Sequence, residues 1–245
     1  MLRKTPSTES AKKESPRNLY MAPELPLLLR RFRVDVVFDI GANVGQFASE
    51  LFGAGFAGRI VSFEPLSAAH GQLIETSQPE PRWAVAPRCA LGESDGEATI
   101  HVAANSQSSS LVHMLDRHMQ AAPRSRYIGS ETVEVRTLDR VAGQYVQAGE
   151  TIFLKLDVQG SEDRVLTGAR GLLPRVVGIQ VEMSILPLYE GERGFESWLP
   201  RLSMLGFELW CLRPGFTDPR TGRLLQVDGI FFRGDPRAPA VDAAP

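Results

Sequence analysis

The sequence predicts a doubly wound α/β fold, with a mostly parallel sheet of seven strands, helices on both faces and a C-terminal antiparallel hairpin. The first observation is the stretch 36–47, in which an apolar run ends in an acid, turns at a glycine and continues as a helix. The second is that two later apolar strands also end in acids, Asp157 and Glu182. Ligands of such sheets bind beyond the carboxyl ends of the strands, so these acids are expected to line one crevice.

The other helices and strands are predicted from the spacing of apolar residues and from the turns between them. In chain order, helices are predicted at 23–33, 44–52, 66–77, 162–172 and 195–205, and strands at 59–63, 83–90, 98–103, 132–137, 151–156, 176–182, 207–212 and 227–232. Pro87 interrupts one of these strands, which indicates a position near an edge of the sheet. A turn-rich segment joins the last two strands, which predicts the hairpin.

The 245 residues are predicted to form one domain over 19–233, long enough for a substantial core. The basic, polar segment 1–18 and the Pro/Ala-rich segment 234–245 are predicted to be disordered tails. Segment 98–137 is predicted to be an insertion, in which two strands bracket a polar, serine-containing middle part.

Composition narrows the possible partners and the compartment. The net charge of −2 gives no electrostatic reason to expect a nucleic acid. The two cysteines, Cys89 and Cys211, are expected to be free thiols in the cytoplasm. No apolar stretch approaches the ~20 residues that a transmembrane helix needs, and the beginning of the chain lacks the apolar region of a signal peptide.

The turn after the first strand carries three residues with predicted roles. Gly41 lets the backbone turn tightly and leaves no Cβ in the path of a ligand. Asn43 is predicted to be the N-cap of the helix 44–52. Gly45, in the first turn of that helix, allows the helix to lie close to the strand or to a bound ligand.

The acids near this turn indicate which nucleotide binds. A dinucleotide site needs the fingerprint G-x-G-x-x-G, but Asn43 stands where its middle glycine belongs, and the carboxylate of Asp39 would repel a phosphate. A carboxylate at this position suits a cation such as the α-ammonium group of S-adenosylmethionine. Glu64, which ends the next strand just before Pro65, can accept hydrogen bonds from both ribose hydroxyls.

Several motifs, taken in order, resemble the FkbM family of S-adenosylmethionine-dependent methyltransferases. The first two are DIGANVG, which begins at Asp39, and FEP, which ends at Pro65. The others are NSQSSSL at 105–111, VRTLD at 135–139 and LKLDVQGSE at 154–162. The resemblance covers residues 34–232 and implies a Rossmann-like class I methyltransferase fold with S-adenosyl-L-methionine as the cofactor.

The resemblance also implies where the cofactor and the acceptor bind. In related methyltransferases the loop after the third strand flanks the adenine ring, so Ala90 and Leu91 are candidates for that apolar contact. The serine-rich loop 105–110 is expected to lie over the active site, with 98–137 as the acceptor-recognition region. The predicted cofactor-binding residues are Asp39, Gly41, Asn43, Gly45, Phe47, Glu64, Pro65, Ala90 and Leu91.

Methyl transfer from a sulfonium is an in-line displacement, for which an enzyme aligns the acceptor, excludes water and removes a proton. A hydroxyl acceptor needs a base, and Asp157 is the first candidate. His113 is the second, because it is the histidine nearest the serine-rich loop and an imidazole is the side chain that ordinarily changes charge near neutral pH. By resemblance, Glu182 hydrogen-bonds the acceptor. A divalent cation held by Asp157, Glu182 and Glu162 is conceivable but not favoured, and no metal ligand is predicted.

These observations together predict an O-methyltransferase that acts on a hydroxyl of a sugar, glycolipid or related natural product. The alternatives are N- or C-methylation of a small metabolite and a protein that binds the cofactor without catalysis. An NAD-binding oxidoreductase is disfavoured by Asn43 and Asp39. The sequence indicates neither the position that is methylated nor the oligomeric state.

Overall fold

The computed structural model describes residues 21–234. The tails predicted at 1–18 and 234–245 lie outside these residues, apart from Gly234. The strands are β1 (Val36–Ile40), β2 (Arg59–Phe63), β3 (Trp83–Val85), β4 (Ala90–Leu91), β5 (Gly96–Ala103), β6 (Tyr127–Arg136), β7 (Ile152–Leu156), β8 (Val176–Ser184), β9 (Glu208–Pro214) and β10 (Gln226–Phe232). The α-helices are α1 (Leu25–Arg31), α2 (Gln46–Gly53), α3 (Ser67–Ser77), α4 (Asp116–Ala121), α5 (Leu138–Val141), α6 (Glu162–Thr167) and α7 (Phe195–Met204).

Seven strands form the central sheet, in the order β3-β2-β1-β7-β8-β10-β9. The first five of these run parallel, whereas β10 is antiparallel to both of its neighbours. The predicted sheet and its C-terminal hairpin are therefore confirmed. The chain leaves β1 in one direction towards β2 and β3 and later returns to its other side as β7. This change of direction opens a crevice at the carboxyl ends of β1 and β7.

A second, smaller sheet lies between β3 and β7 in the chain. It has the order β4-β6-β5, with β4 parallel and β5 antiparallel to β6. The predicted strand 83–90 is thus wrong as a single element, because its two ends, separated by a segment that contains Pro87, belong to different sheets. The proline has no N–H to continue the ladder of the first sheet, so the chain leaves that sheet after Val85.

All five predicted helices differ from the structure by at least one residue in their limits, and two of these differences have a clear structural cause. The helix after β1 begins at Gln46, because Asn43 and Gly45 take left-handed backbone conformations, with φ of 48° and 92°. Gly45 is the N-cap residue and no side chain caps the helix, so the N-cap prediction for Asn43 is wrong. The helix that begins at Glu162 ends at Thr167 rather than at residue 172. At the next residue, Gly168, a Cβ would lie 2.0 Å from the Gly92 carbonyl oxygen, so close packing requires a glycine there.

Apolar side chains cover both faces of the central sheet. Phe38 and Leu154 belong to the core on one face, and Val37 and Phe153 to the core on the other, as alternation along β1 and β7 requires. None of the helices between residues 21 and 234 is long and apolar enough to cross a bilayer.

The second of these faces becomes polar towards the carboxyl ends of the strands. Ser62, Asp39, Lys155 and Gln180 stand opposite one another across β2, β1, β7 and β8, and we call them the first polar row. Asp157 and Glu182 lie two residues beyond Lys155 and Gln180 and so face the same side. Glu182 is paired with Asp228, and Asp228 with Arg213. Asp157, Glu182, Asp228 and Arg213 form the second polar row.

Strand β9 contains one residue more than the stretch of β10 opposite it. Cys211 pairs with Ile230, but the next pair joins Leu209 to Phe231, so Trp210 is the additional residue of a β-bulge. The Trp210 ring packs edge-on against Phe32, with ring centroids 5.0 Å apart. The bulge therefore turns Trp210 towards the segment that follows α1, while Arg213 keeps its place opposite Asp228.

Candidate active site

A cavity of about 510 Å³ opens at the carboxyl ends of β1, β2, β7 and β8, within the ~300–1,000 Å³ usual for small-molecule sites. Its walls include the turn after β1, strand β4 of the small sheet, the serine-rich loop and the end of the β9–β10 hairpin. Seven predicted cofactor-binding residues line it, namely Gly41, Asn43, Phe47, Glu64, Pro65, Ala90 and Leu91. Asp39 and Gly45 do not.

Glu64 is held by backbone amides at one end of this cavity. Its Oε2 accepts a hydrogen bond from the Asn43 N–H at 2.8 Å, and its Oε1 accepts one from the Leu66 N–H at 2.9 Å. A carboxylate has about four acceptor positions, so both oxygens can accept a further bond from a ligand hydroxyl. Burial raises the pKa of Glu64 to about 7, although the two amides act against this shift.

The two glycines of the turn serve packing rather than clearance for a ligand. At Gly41, which has a φ of 80°, a Cβ would lie 1.9 Å from the Asp157 carbonyl oxygen. At Gly45, a Cβ would lie 2.6 Å from the Trp83 ring. The expectation that Gly41 keeps a Cβ out of the path of a ligand is thus corrected: its nearest neighbour is the backbone at the end of β7.

Asp39 lies behind the cavity wall, with no exposed surface. Its Oδ1 forms an ion pair with the Lys155 ammonium at 3.1 Å, and its Oδ2 accepts a hydrogen bond from Ser62 at 3.4 Å. Burial alone would lower the pKa of Lys155, but Asp39 and Asp157 raise it above its ordinary value. The prediction that Asp39 contacts a cofactor ammonium directly is therefore corrected, since Asp39 is fully buried and its cationic partner is Lys155.

Lys155 connects the two polar rows. Its ammonium lies 3.3 Å from Asp157 Oδ2 and donates a hydrogen bond to the Gly41 carbonyl at 3.2 Å. Because the lysine is nine-tenths buried and contacts both Asp39 and Asp157, it fixes the end of β7 against the turn after β1. Asp157 remains partly open, with 37% of its side chain exposed.

A single amide joins the two predicted acids of the acceptor side. Gln159 Nε2 donates to Asp157 Oδ1 at 2.7 Å and to Glu182 Oε2 at 2.8 Å. Its Oε1 accepts a hydrogen bond from the Tyr189 hydroxyl at 2.7 Å. The backbone of Gln159 has a left-handed conformation, with a φ of 57°. This conformation is strained, so the surrounding hydrogen bonds must maintain it. Gln226 gives Glu182 Oε2 a second donor at 2.8 Å.

Two acids of the second polar row, Glu182 and Asp228, have raised pKa values. Burial raises the pKa of Glu182 well above its ordinary value, and the nearby charges of Asp157 and Asp228 raise it further. Burial also raises the pKa of Asp228 to about 6, with a further contribution from Asp157. The raised pKa of Glu182 favours the protonated form, which can donate as well as accept a hydrogen bond. Asp228 is mostly ionised at pH 7 and gains this ability as the pH falls towards 6.

His113 does not line the cavity. It is exposed on the insertion, where its ring lies 5.2 Å from His101 and 5.9 Å from Tyr127. The histidine that does line the cavity is His118, on α4. The structure therefore does not support the choice of His113 as a base, because nearness in sequence to the serine-rich loop did not predict which histidine turns inwards.

Glu162 has a structural task. Its carboxylate accepts hydrogen bonds from the Val158 and Gly160 N–H groups, at 3.0 Å and 3.1 Å for the shorter contacts. It thus holds the turn after β7 rather than sharing a ligand with Asp157 and Glu182. Among residues 21–234 there is no group of three or more His, Cys, Asp or Glu side chains placed to bind a metal ion.

A sequence model of the FkbM methyltransferase domain matches residues 39–209, more than half of the chain. The chain belongs to the FkbM methyltransferase family. It is therefore an S-adenosylmethionine-dependent methyltransferase, and the family implied by its motifs is confirmed. No functionally curated protein matches it in sequence.

Solved methyltransferase structures resemble this FkbM methyltransferase at low sequence identity. TehB from Haemophilus influenzae is 10% identical with a TM-score of 0.47, and the match covers 87% of this chain and 63%, under two thirds, of TehB. Magnesium protoporphyrin IX methyltransferase from Synechocystis PCC 6803 with bound SAM is 11% identical with a TM-score of 0.45, over 86% of this chain and 77% of that chain. A putative RNA methyltransferase from Pyrococcus horikoshii is 13% identical with a TM-score of 0.44, over 91% and 93%.

The cavity of the FkbM methyltransferase fits S-adenosylmethionine in charge and in chemistry. Glu64 offers two acceptor oxygens for ribose hydroxyls, while Ala90 and Leu91, both buried in β4, offer an apolar wall for a base. Acids outnumber basic side chains along the lining, and Asp39 and Asp157 already balance Lys155. A cationic sulfonium would favour the ionised form of the buried acids and is therefore compatible with this lining.

The partners of the predicted acids were not identified from the sequence as parts of this site. Gln180, Gln159, Asp228, Arg213 and Tyr189 all belong to the network around Asp157 and Glu182 or line the same cavity. One signal was available: Gln180 lies two residues before Glu182, just as Lys155 lies two before Asp157, and alternate residues of a strand share a face.

Glu64 is expected to make cofactor affinity depend on pH. Because ribose hydroxyls donate to the ionised carboxylate and the pKa is about 7, S-adenosylhomocysteine should bind about tenfold more tightly at pH 8 than at pH 6. Glu64→Gln should remove this dependence and weaken binding at pH 8 by about 1.5–3 kcal/mol. Titration calorimetry measures both, with Glu75→Gln on the exposed side of α3 as the control. Wild-type affinity that stays constant with pH would contradict this role.

Proposed function

We propose that the protein transfers a methyl group from S-adenosylmethionine to a hydroxyl of a sugar, a glycolipid or a related natural product. The observation that carries this proposal is the pair of acids, Asp157 and Glu182, which one amide joins at the cavity. Bound S-adenosylmethionine supplies an electrophilic methyl group with a good leaving group. An alcohol is a poor nucleophile at neutral pH, so the remaining requirement is a group that accepts its proton.

In this proposal Asp157 is the general base and Glu182 positions the acceptor. Asp157 is the more open of the two, and Lys155 and Gln159 fix the orientation of its carboxylate. The pKa of Glu182 is raised well above its ordinary value, which favours the protonated form that can donate a hydrogen bond to an acceptor oxygen. The division follows from environment, since a buried acid and a more open acid side by side can take opposite roles.

The segment 98–137 is proposed as the acceptor-recognition region of the single domain. It contributes Ser106, Ser108 and His118 to the cavity lining. Its polar loop is tied to the cofactor side, because Asn43 Nδ2 donates to Ser106 Oγ at 3.1 Å. It is also tied to the acceptor side, because the Ser108 carbonyl accepts from Tyr189 at 3.2 Å. The free thiols of Cys89 and Cys211 suit the proposed cytoplasmic location.

Metabolite analysis tests the acceptor class. Cells lacking the gene should accumulate a glycolipid or natural product lighter by one methylene group than its wild-type counterpart, detectable by mass spectrometry. Fragmentation that places the missing methyl group on a sugar hydroxyl supports the proposal. A missing methyl group on nitrogen or carbon would favour the alternative of N- or C-methylation, and an unchanged profile would favour a cofactor-binding protein without catalysis.

A further inference from the structure

His118 is a buried polar residue of the cavity that the proposed chemistry leaves without a task. It lies on α4 of the insertion, is 4% exposed and lines the cavity. Its Nδ1 is inaccessible to solvent and has no hydrogen-bond partner among residues 21–234. A buried polar atom without a partner is costly, so a turn of the ring that brings Nδ1 to a ligand hydroxyl in the cavity would recover free energy.

Two aromatic rings place His118 on the acceptor side. Tyr189 meets the imidazole edge-on and Phe216 lies beside it, with ring centroids 5.3 Å away in both cases. The Tyr189 hydroxyl bonds to Gln159, whose amide holds Asp157 and Glu182. In this chain of contacts Tyr189 and Gln159 lie between His118 and the two acids, and all three of His118, Asp157 and Glu182 line the same cavity. One ligand can therefore meet His118 at one hydroxyl and the acids at another.

The electrostatic state of His118 limits what it can bind. Burial lowers its pKa to about 4, so the imidazole is neutral at pH 7 and offers one donor and one acceptor. A hydroxyl group matches this pair, whereas an anion would call for a charged imidazolium. Gln180 Oε1, in the same cavity, is a second buried acceptor without a partner among the described residues. Both features favour a neutral ligand with several hydroxyl groups.

We propose that His118 is an acceptor-binding residue, which hydrogen-bonds a hydroxyl of the acceptor other than the one that is methylated, beside the Phe216 ring. The inference rests on the proposed transfer to a polyhydroxylated acceptor and deepens it. It assigns the insertion a direct part in substrate choice, since α4 carries the histidine. Loss of this bond should raise the KM for the acceptor and leave cofactor affinity unchanged.

Three variants test the assignment. His118→Phe keeps an aromatic ring against Tyr189 and Phe216 but removes both polar atoms, whereas His118→Asn keeps a donor and an acceptor near the position of Nδ1. His113→Phe, outside the cavity, is the matched control. Titration with S-adenosylhomocysteine identifies folded protein. The acceptor probe is an extract of cells that lack the gene, assayed at several dilutions with S-adenosylmethionine that carries a trideuterated methyl group.

We expect a labelled methyl ether on a sugar, an apparent KM at least tenfold higher for His118→Phe, partial recovery for His118→Asn and no change for His113→Phe. A labelled sugar ether formed with the same KM by His118→Phe would overturn the role of His118 and leave the proposed function standing. Label on nitrogen or carbon, or no labelled product from the wild-type protein, would overturn both. If His118→Phe cannot bind S-adenosylhomocysteine, His118→Leu, which also removes both polar atoms, takes its place in the same comparison.

Discussion

Asp157→Asn is expected to lower turnover of a hydroxyl acceptor by about 10²–10⁴-fold, the range for loss of a general base. The amide keeps the shape of the side chain but cannot accept the proton of the acceptor. Affinity for S-adenosylhomocysteine should stay within a few-fold, because Glu64 and the apolar wall of β4 are unchanged. Single-turnover kinetics with saturating cofactor measures the chemical step directly.

Two controls separate this role from others. Asp116→Asn, exposed on α4, should leave turnover unchanged. Treatment of the wild-type protein with EDTA should also have no effect, because Lys155 and Gln159 already contact the Asp157 carboxylate. Near-normal turnover by Asp157→Asn would reject the base, and activity lost to EDTA and restored by Mg²⁺ would instead indicate a metal-dependent mechanism.

Lys155→Met is expected to reduce the free energy of unfolding by about 3–5 kcal/mol, because it leaves the Asp39 carboxylate buried without its counter-charge. The double variant Asp39→Asn/Lys155→Met removes the unpaired charge and should recover a large part of that loss. Urea unfolding of the cofactor-free protein, followed by circular dichroism, measures both values.

The matched control for this prediction is an exposed ion pair. Arg140 lies 3.1 Å from Asp95 with 66% of its side chain exposed, so Arg140→Met should cost less than about 1 kcal/mol. If Lys155→Met reduced the free energy of unfolding by as little as Arg140→Met, this would show that Asp39 is neutral in the folded protein. An equal loss in the single and double variants would show that Lys155 acts through its bonds to Gly41 and Asp157 instead.

The features that could be predicted from the sequence are those that depend on a single strand or turn. Apolar runs that end in Asp157 and Glu182 predicted two parallel strands whose acids meet at one edge, and β7 and β8 carry them there. The glycine-rich turn and the hairpin were predicted on the same local basis. The ion pair between Asp39 and Lys155 could not be predicted in this way. It depends on the register between β1 and β7, which neither strand specifies alone.

The irregular parts of the site were harder to predict from the sequence. Asparagine adopts positive φ values more readily than most residues, but nothing local indicates that Gln159 does so, since its bonds to the neighbouring acids maintain that conformation. The choice between His113 and His118 had the same difficulty. The two histidines lie five residues apart, and only the packing of α4 against Tyr189 decides which of them is buried.

The bulge at Trp210 bears on how the length of this chain can change between related proteins. A bulge already accommodates one unmatched residue, so a deletion there would restore regular pairing between β9 and β10 without moving Arg213 from its position opposite Asp228. A one-residue deletion between Cys211 and Arg213 would instead shift the register, so that the side chains on one side of the deletion would point to the opposite face of the sheet. We therefore expect single-residue length differences among relatives to collect at the start of β9, and the last three residues before Gly215 to keep a fixed spacing.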